Sequence, residues 1–348
     1  MHALHRLSSL TRIAPLAEEP YTLRPLDHDL WATGDYVGCE VLAPLGSIHH
    51  LELPSGRMSE VAPGEIVIGA LGRRYATLEA TGTWEAVGPD DRMHILTGGG
   101  LVGRLTSKSP YVGSLLEVGY RGHVYLDGKR ATMRRFVEPV AARPFTTPTV
   151  LIVASSMSAG KTTAARAITR TLKADGLRVV GAKLTGAGRY RDVLAVRDAG
   201  ADWVYDFVDV GLPSTACPVE VYRPVVRELL ARLAGHDADV AVVEIGSSPL
   251  EPYNGAAAIQ ALGDAVCCRV LCASDPYAAV GVMDAYGLRP DLVSGIATNT
   301  LAGLDLIGRL TGLRALNLMD PETQPELREI LRRTLGLPAA SREAEPAA

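Results

Sequence analysis

Apolar residues are distributed differently in the two parts of this chain. Up to about residue 140 they form short alternating runs: Tyr36 to Leu42, His50 to Leu53, Glu65 to Leu71 and Tyr75 to Glu79. Turn signals at Pro54-Ser55-Gly56, Pro63-Gly64 and Asp127-Gly128 separate them. Alternation over a few residues between such turns predicts half-buried strands, so this part reads as a small β-barrel or sandwich. A proline-punctuated stretch, Pro139 to Pro148, reads as a linker.

Beyond it the apolar runs are continuous and alternate with helical spacing. Thr149 to Ala154, Leu177 to Ala182, Val240 to Val243, Val266 to Ala273 and Val293 to Ala297 predict buried strands. Thr162 to Ala174, Val221 to Ala234 and Glu322 to Leu335 predict helices. Strands without polar alternation, spaced by helices, indicate a mostly parallel, doubly wound α/β sheet covered on both faces. The expected organisation is an N-terminal extension (1–20), a β-rich domain (21–142), an α/β domain (148–337) and a disordered Pro/Ala/Glu-rich tail (338–348). A chain of 348 residues independently favours two domains over one.

The strongest local signal is Ser155-Ser156-Met157-Ser158-Ala159-Gly160-Lys161-Thr162-Thr163. It follows a predicted strand and opens a predicted helix, the setting a phosphate-binding loop requires. Main-chain N–H groups of residues 156 to 163 would surround an anion at the helix head. Gly160 lets the backbone approach the ligand closely. Lys161 would reach the outer phosphates, and the Thr162 hydroxyl would meet Mg²⁺. The first loop position, usually glycine, is Ser155.

Ligands of such sheets sit beyond the carboxyl ends of the strands. The residues there are Lys183, Thr185 and Gly186 with Asp192 downstream, Glu244 with Ser247, and Asn299. An acid that ends a buried strand beside a phosphate loop needs a cationic partner, a metal or an arginine, to offset its burial. Asp192 reads either as a metal ligand or as a helix N-cap. Asn299 reads as an edge-of-base reader or as a turn residue. Ser214 is a candidate substrate contact or part of a turn.

These motifs resemble two P-loop groups over roughly the last 190 residues. The loop with a non-glycine first position, the Lys183-Leu184-Thr185-Gly186 stretch and Asp192 resemble dethiobiotin synthetase. That resemblance implies ATP and Mg²⁺. It makes Lys183 a ligand of substrate or phosphate, Asp192 a metal ligand and Asn299 a reader of adenine. Asp206-Phe207-Val208, Val243-Glu244 with Ser247, and Pro252-Tyr253-Asn254-Gly255 are similar to the P-loop family that includes D-glutamate N-acetyltransferase. That resemblance implies a loop holding the pyrophosphate of acetyl-CoA.

The expected function is therefore an ATP- and Mg²⁺-dependent enzyme on a small metabolite. Lys161, Lys183 and Glu244 would be catalytic, Thr162, Asp192 and Glu244 would hold the metal, and Thr185, Gly186, Ser214 and Ser247 would contact substrate. An acyl-CoA-dependent N-acyltransferase and a nucleotide-dependent switch or assembly protein are the alternatives. Relatives of this class often form dimers that share a site, so a homodimer is one expected assembly.

Charge and cysteines narrow the partners. A net charge of -4 argues against a general nucleic-acid binder, which needs a basic surface. Five cysteines without a CxxC pair read as free thiols, in keeping with a reducing cytoplasm. No apolar run reaches the ~18 residues of a membrane span. The Gly98 to Gly103 stretch lacks the strand–helix setting of a dinucleotide fingerprint and reads as a turn. His49, His50 and His94 have no third metal ligand spaced with them in sequence.

Overall fold

The computed structural model describes residues 4–246 and 248–338. Ser247 and most of the expected disordered tail lie outside the described residues.

The N-terminal β-rich part closes into a barrel. Strand Ile66–Leu71 pairs with Tyr36–Val41, which pairs with Glu117–Leu126, then with Arg92–Thr97 and Leu101–Lys108. A short parallel pairing of Leu101–Lys108 with Ile66–Leu71 completes the ring. Closure leaves no free edge among these five strands. Val37, Cys39, Val67, Met93, Val102 and Val118 pack together in one apolar cluster. The neighbouring residues Tyr36, Ile68, Ala70, Leu96 and Leu101 belong to a different cluster that continues into the α/β part. Every residue of Ile66–Leu71 is buried, because each face of that strand meets a core.

Residues 5–16 are not a free extension. Strand His5–Leu7 pairs in parallel with Ile66–Ile68, and Ser8 to Thr11 are buried. The run Tyr75 to Glu79 is also not one strand. Arg73–Tyr75 and Ala80–Thr83 form a hairpin, and the residues between them turn, with Ala76 N–H bonded to Ala80 O at 3.0 Å. Gly98 to Gly100 form the expected turn, while Leu101 to Gly103 of the same stretch belong to the strand Leu101–Lys108.

In the second part the elements are β1 (Thr149–Ala154), α1 (Lys161–Ala174), β2 (Val179–Lys183), α2 (Tyr190–Asp198), β3 (Trp203–Asp206), α3 (Val219–Leu233) and β4 (Val240–Glu244). They continue with α4 (Gly255–Leu262), β5 (Val266–Cys272), α5 (Pro276–Tyr286), β6 (Leu292–Ser294), α6 (Leu301–Thr311) and α7 (Gln324–Leu335). All six strands are parallel, in the order β3-β2-β4-β1-β5-β6. Val150 and Ile152 of β1 pack with Ile168 and Leu172 of α1 and Leu327 and Ile330 of α7. Leu151 and Val153 point the other way, into the cluster shared by α3, α4, α5 and the barrel. Alternate residues of a strand serve opposite faces, so a sheet covered on both sides needs an unbroken apolar run. No helix among the described residues is long and apolar enough to cross a membrane.

Candidate functional site

The loop between β1 and α1 has the backbone expected of a phosphate cradle. Ser158 and Gly160 both take positive φ, +61° and +102°. Gly295, after β6, presses against it: a Cβ on Gly160 would lie 3.0 Å from Gly295 Cα. Among the described residues, the N–H groups of 156 to 163 have no hydrogen-bond acceptor. The first-turn donors of a helix are orphaned unless something caps them, and here they converge at one end of α1. Lys161 is buried and donates to Ser156 O at 3.1 Å, folding its ammonium back over the loop.

Strand register brings the other charged groups to the same place. Lys183 ends β2 and pairs in register with Glu244, which ends β4; Glu244 also lies opposite Ile152 of β1. Glu244 Oε2 accepts from the Thr162 hydroxyl at 3.2 Å. Lys183 pairs with Asp192. Burial pushes the Glu244 carboxyl up, partly offset by Lys161 and Lys183. Burial likewise pushes Lys161 down, opposed by Glu244. For Lys183 burial acts downward too, but Asp192 and Glu244 outweigh it and raise the ammonium. Asp192 stays low because Lys183 and two arginines overcome its burial. The hydroxyl of Thr162 and the carboxylates of Glu244 and Asp192 are hard oxygen donors, a set that suits Mg²⁺.

A feature that the sequence did not reveal positions Asp192. Helix α2 starts at Tyr190, with Arg189 at its N-cap and no cap from its own side chain. Asp192 lies within the first turn and is therefore not the N-cap. The cap comes from the barrel. Glu52, fully buried, accepts the N–H groups of Tyr190 at 2.7 Å and Arg191 at 2.9 Å, and also the Ser9 hydroxyl. A carboxylate on two helix N-terminal donors satisfies them and meets the positive end of the helix dipole.

Near this contact lies one cavity between the two parts, of about 430 Å³. Its floor includes Ser158, Gly160, Lys161, Thr162, Lys183 and Glu244. Arg74, Glu79 and Thr97 of the barrel form the opposite wall, and Arg189, Arg191 and Asp192 a third side. Met157, Thr163 and Gly186 also reach the cavity, as do Gly98 and Tyr253. The domains are joined here by Tyr253, whose hydroxyl accepts Tyr75 N–H at 2.7 Å, and by Thr77 with Glu251.

Several expected site residues lie elsewhere. Thr185 is buried, and its hydroxyl accepts Gly246 N–H at 3.0 Å, so it braces the β4 loop. Ser214 is buried in a turn, its oxygen accepting Ala216 N–H. Neither lies on the cavity wall. Asn299 is exposed, beyond the short turn Ile296–Thr298, and is also off that wall. Ala159 and Ser156 contribute main chain only: Ala159 O accepts Ile296 N–H, and Ser156 O accepts Lys161. His49 and His50 do gain a third neighbour, since Glu60 is the cross-strand partner of His50. The donor atoms of the three lie within 4.8 Å of one another. Sequence spacing hid this group because the hairpin supplies the acid.

No protein-family model matches the chain, and no curated protein matches it. Solved structures do. HypB, a hydrogenase maturation factor from Archaeoglobus fulgidus, is 16% identical and has a TM-score of 0.38; the match covers 55% of this chain and 91% of that one. A duf1611 family protein from Anabaena variabilis is 19% identical with a TM-score of 0.36, over 57% of this chain and 60% of that one. A de novo designed protein with a P-loop NTPase fold is 15% identical with a TM-score of 0.30, over 55% and 94%. By its strand order, its loop and the uncapped helix head behind that loop, the second part of this chain has a P-loop NTPase fold.

Proposed function

We propose that this protein is an ATP- and Mg²⁺-dependent enzyme that acts on a small metabolite in the cavity between barrel and α/β sheet. The supporting observation is the Thr162–Glu244 contact directly beside unpaired loop amides, with Lys161 and Lys183 on the same floor. In this reading the amides and Lys161 hold the β- and γ-phosphates. Thr162, Glu244 and Asp192 hold the metal, which would neutralise phosphate charge. Phosphoryl transfer needs little covalent chemistry from the protein, so positioning and charge supply most of the effect. The barrel wall covers one side of the cavity and leaves room for a second substrate. Activation of a carboxylate, the chemistry of the dethiobiotin synthetase resemblance, is one such reaction.

Metal-ligand oxygens beside Lys161 favour a nucleotide over acyl-CoA, whose pyrophosphate has no need of a metal in acyl transfer. Thermal shift with ATP, GTP and acetyl-CoA, each with and without Mg²⁺, tests this directly. A nucleotide should raise the melting temperature by mass action, and more so with Mg²⁺. Lys161→Ala is expected to abolish that shift while retaining the native circular dichroism spectrum. Stabilisation by acetyl-CoA alone would replace the reading with acyl transfer. Undiminished nucleotide binding in Lys161→Ala would remove the loop from the mechanism.

A further inference from the structure

The charges around the cavity do not balance. Five cationic side chains line it, Lys161, Lys183, Arg74, Arg189 and Arg191, against the three carboxylates Glu79, Asp192 and Glu244. The carboxylates are engaged. Glu79 pairs with Arg74, Asp192 with Lys183, and Glu244 takes the Thr162 hydroxyl next to Lys161. Among the described residues, the guanidinium groups of Arg189 and Arg191 make no hydrogen bond and no ion pair. Arg191 is exposed. Arg189 is half-buried, and its Nε is shut off from solvent without a partner. A buried guanidinium N–H left unbonded is costly, more so than a neutral one.

Arg74 faces the same space from the barrel. It is buried, donates to Leu96 O at 2.6 Å and leaves its own Nε unpartnered. Burial lowers its basicity, Glu79 and Tyr253 oppose that, and the charge of Arg189 on the same cavity adds to the lowering. Both Nε atoms are closed to solvent, so a ligand meets the Nη ends: those of Arg189 have no partner among the described residues, and those of Arg74 each hold one acceptor, Leu96 O and Glu79. Planar guanidinium ends suit an oxyanion. The loop amides and Lys161 already account for a nucleotide's phosphates.

We propose that Arg189 and Arg74 bind an anionic group, carboxylate or phosphate, of the second substrate. This rests on the reading of the cavity as a two-substrate site. The substrate class is then a small anionic metabolite, oriented with its charge toward the head of α2 and its reacting end toward Lys183 and the γ-phosphate. Glu52 acts here as a positioning residue, because its cap on Tyr190 and Arg191 fixes the turn that carries Arg189.

Calorimetric titration of the full chain tests the proposal. The protein is first saturated with a non-hydrolysable ATP analogue and Mg²⁺, then titrated with succinate and, separately, with inorganic phosphate. Binding of one of the two is expected, and which one separates a carboxylate from a phosphate substrate. Arg189→Met should weaken that anion at least tenfold, Arg189→Lys should recover part of the loss, and analogue affinity should stay within twofold. The same titrations on nucleotide-free Lys161→Ala, whose loop is disabled, should still show an Arg189-dependent site. Failure of the analogue to bind would strike the nucleotide reading, and this last arm would still decide the anion site. The proposal is overturned if neither anion binds in either protein, if Arg189→Met binds as well as wild type, or if that variant loses the nucleotide instead.

Discussion

At Gly160 the chain does something that no other residue type does without strain. Its φ of +102° lies outside the range of ordinary side chains, and a Cβ there would crowd Gly295 Cα at 3.0 Å. Gly160→Ala should therefore cost about 1–3 kcal/mol of stability in urea unfolding. It should also weaken nucleotide binding, since the strained residue lies inside the cradle; an unchanged affinity would mean the loop tolerates a shift there. This part of the site was legible in the sequence because a Gly-Lys-Thr run at a strand–helix junction encodes main-chain geometry locally. Glu244 and Lys183 were legible for a related reason: in a parallel sheet, strand ends converge at one edge. Thr185 and Ser214 follow strands too, yet their hydroxyls serve backbone N–H groups, and nothing in composition separates those two uses. Arg74 and Glu52 were invisible, since only tertiary contact brings the barrel against α2.

At the scale of elements, helix α2 depends on an acid from outside its own domain. Removing Glu52 takes the cap from two part-buried helix donors, a loss of about 0.5–2 kcal/mol. Glu52→Ala should thus lower the urea midpoint and loosen Arg189, Arg191 and Asp192 together. Hydrogen exchange at Tyr190 and Arg191 should accelerate well beyond the rest of α2; protection equal to wild type would show that another group caps the helix. The entry to β2 is held differently, at the surface. Asp239 Oδ2 accepts Arg178 N–H at 2.7 Å, and hydrogen bonds with Arg178 hold its carboxyl at about 2, against an ordinary 3.8. A depressed carboxyl stabilises the fold above its unfolded value and loses that contribution as pH falls through the folded one. Asp239→Asn should therefore cost under about 1 kcal/mol at neutral pH, because the pair is exposed. The gap to wild type should close as pH falls from about 4 toward about 2. A gap that persists at the acid end would point to packing rather than charge. The three helices and the continuous strands predicted from the sequence match within about three residues, since their periodicity is local, whereas no range was predicted for α2, α4, α5 or α6. The missed strand β3 is short and carries the half-buried, aromatic Trp203-Val204-Tyr205, a weaker version of the same signal.

The whole molecule is less divisible than its length suggested. Two parts are distinct in their sheets, yet one apolar cluster runs from Leu10, Tyr36 and Ile68 through to Val153, Phe207 and Val243. A buried ion pair fastens the N-terminal segment across the boundary: Arg12 meets Asp206 at 2.6 Å and Asp209 at 3.0 Å. Leaving such a carboxylate unpaired costs about 3–5 kcal/mol. The division into domains was inferred from texture and from a run of prolines, signals of connectivity that carry no information about which surfaces then meet.

That shared core has a consequence for the exposed, proline-punctuated run 139–148. It is a tether, and the adhesion beneath it does not depend on the peptide bonds above. A protease site engineered into residues 141–144 should yield two fragments that co-elute in size-exclusion chromatography and still bind nucleotide. Fragments that drift apart would mean that covalent attachment, and not the hidden apolar seam, keeps the barrel against the α/β part.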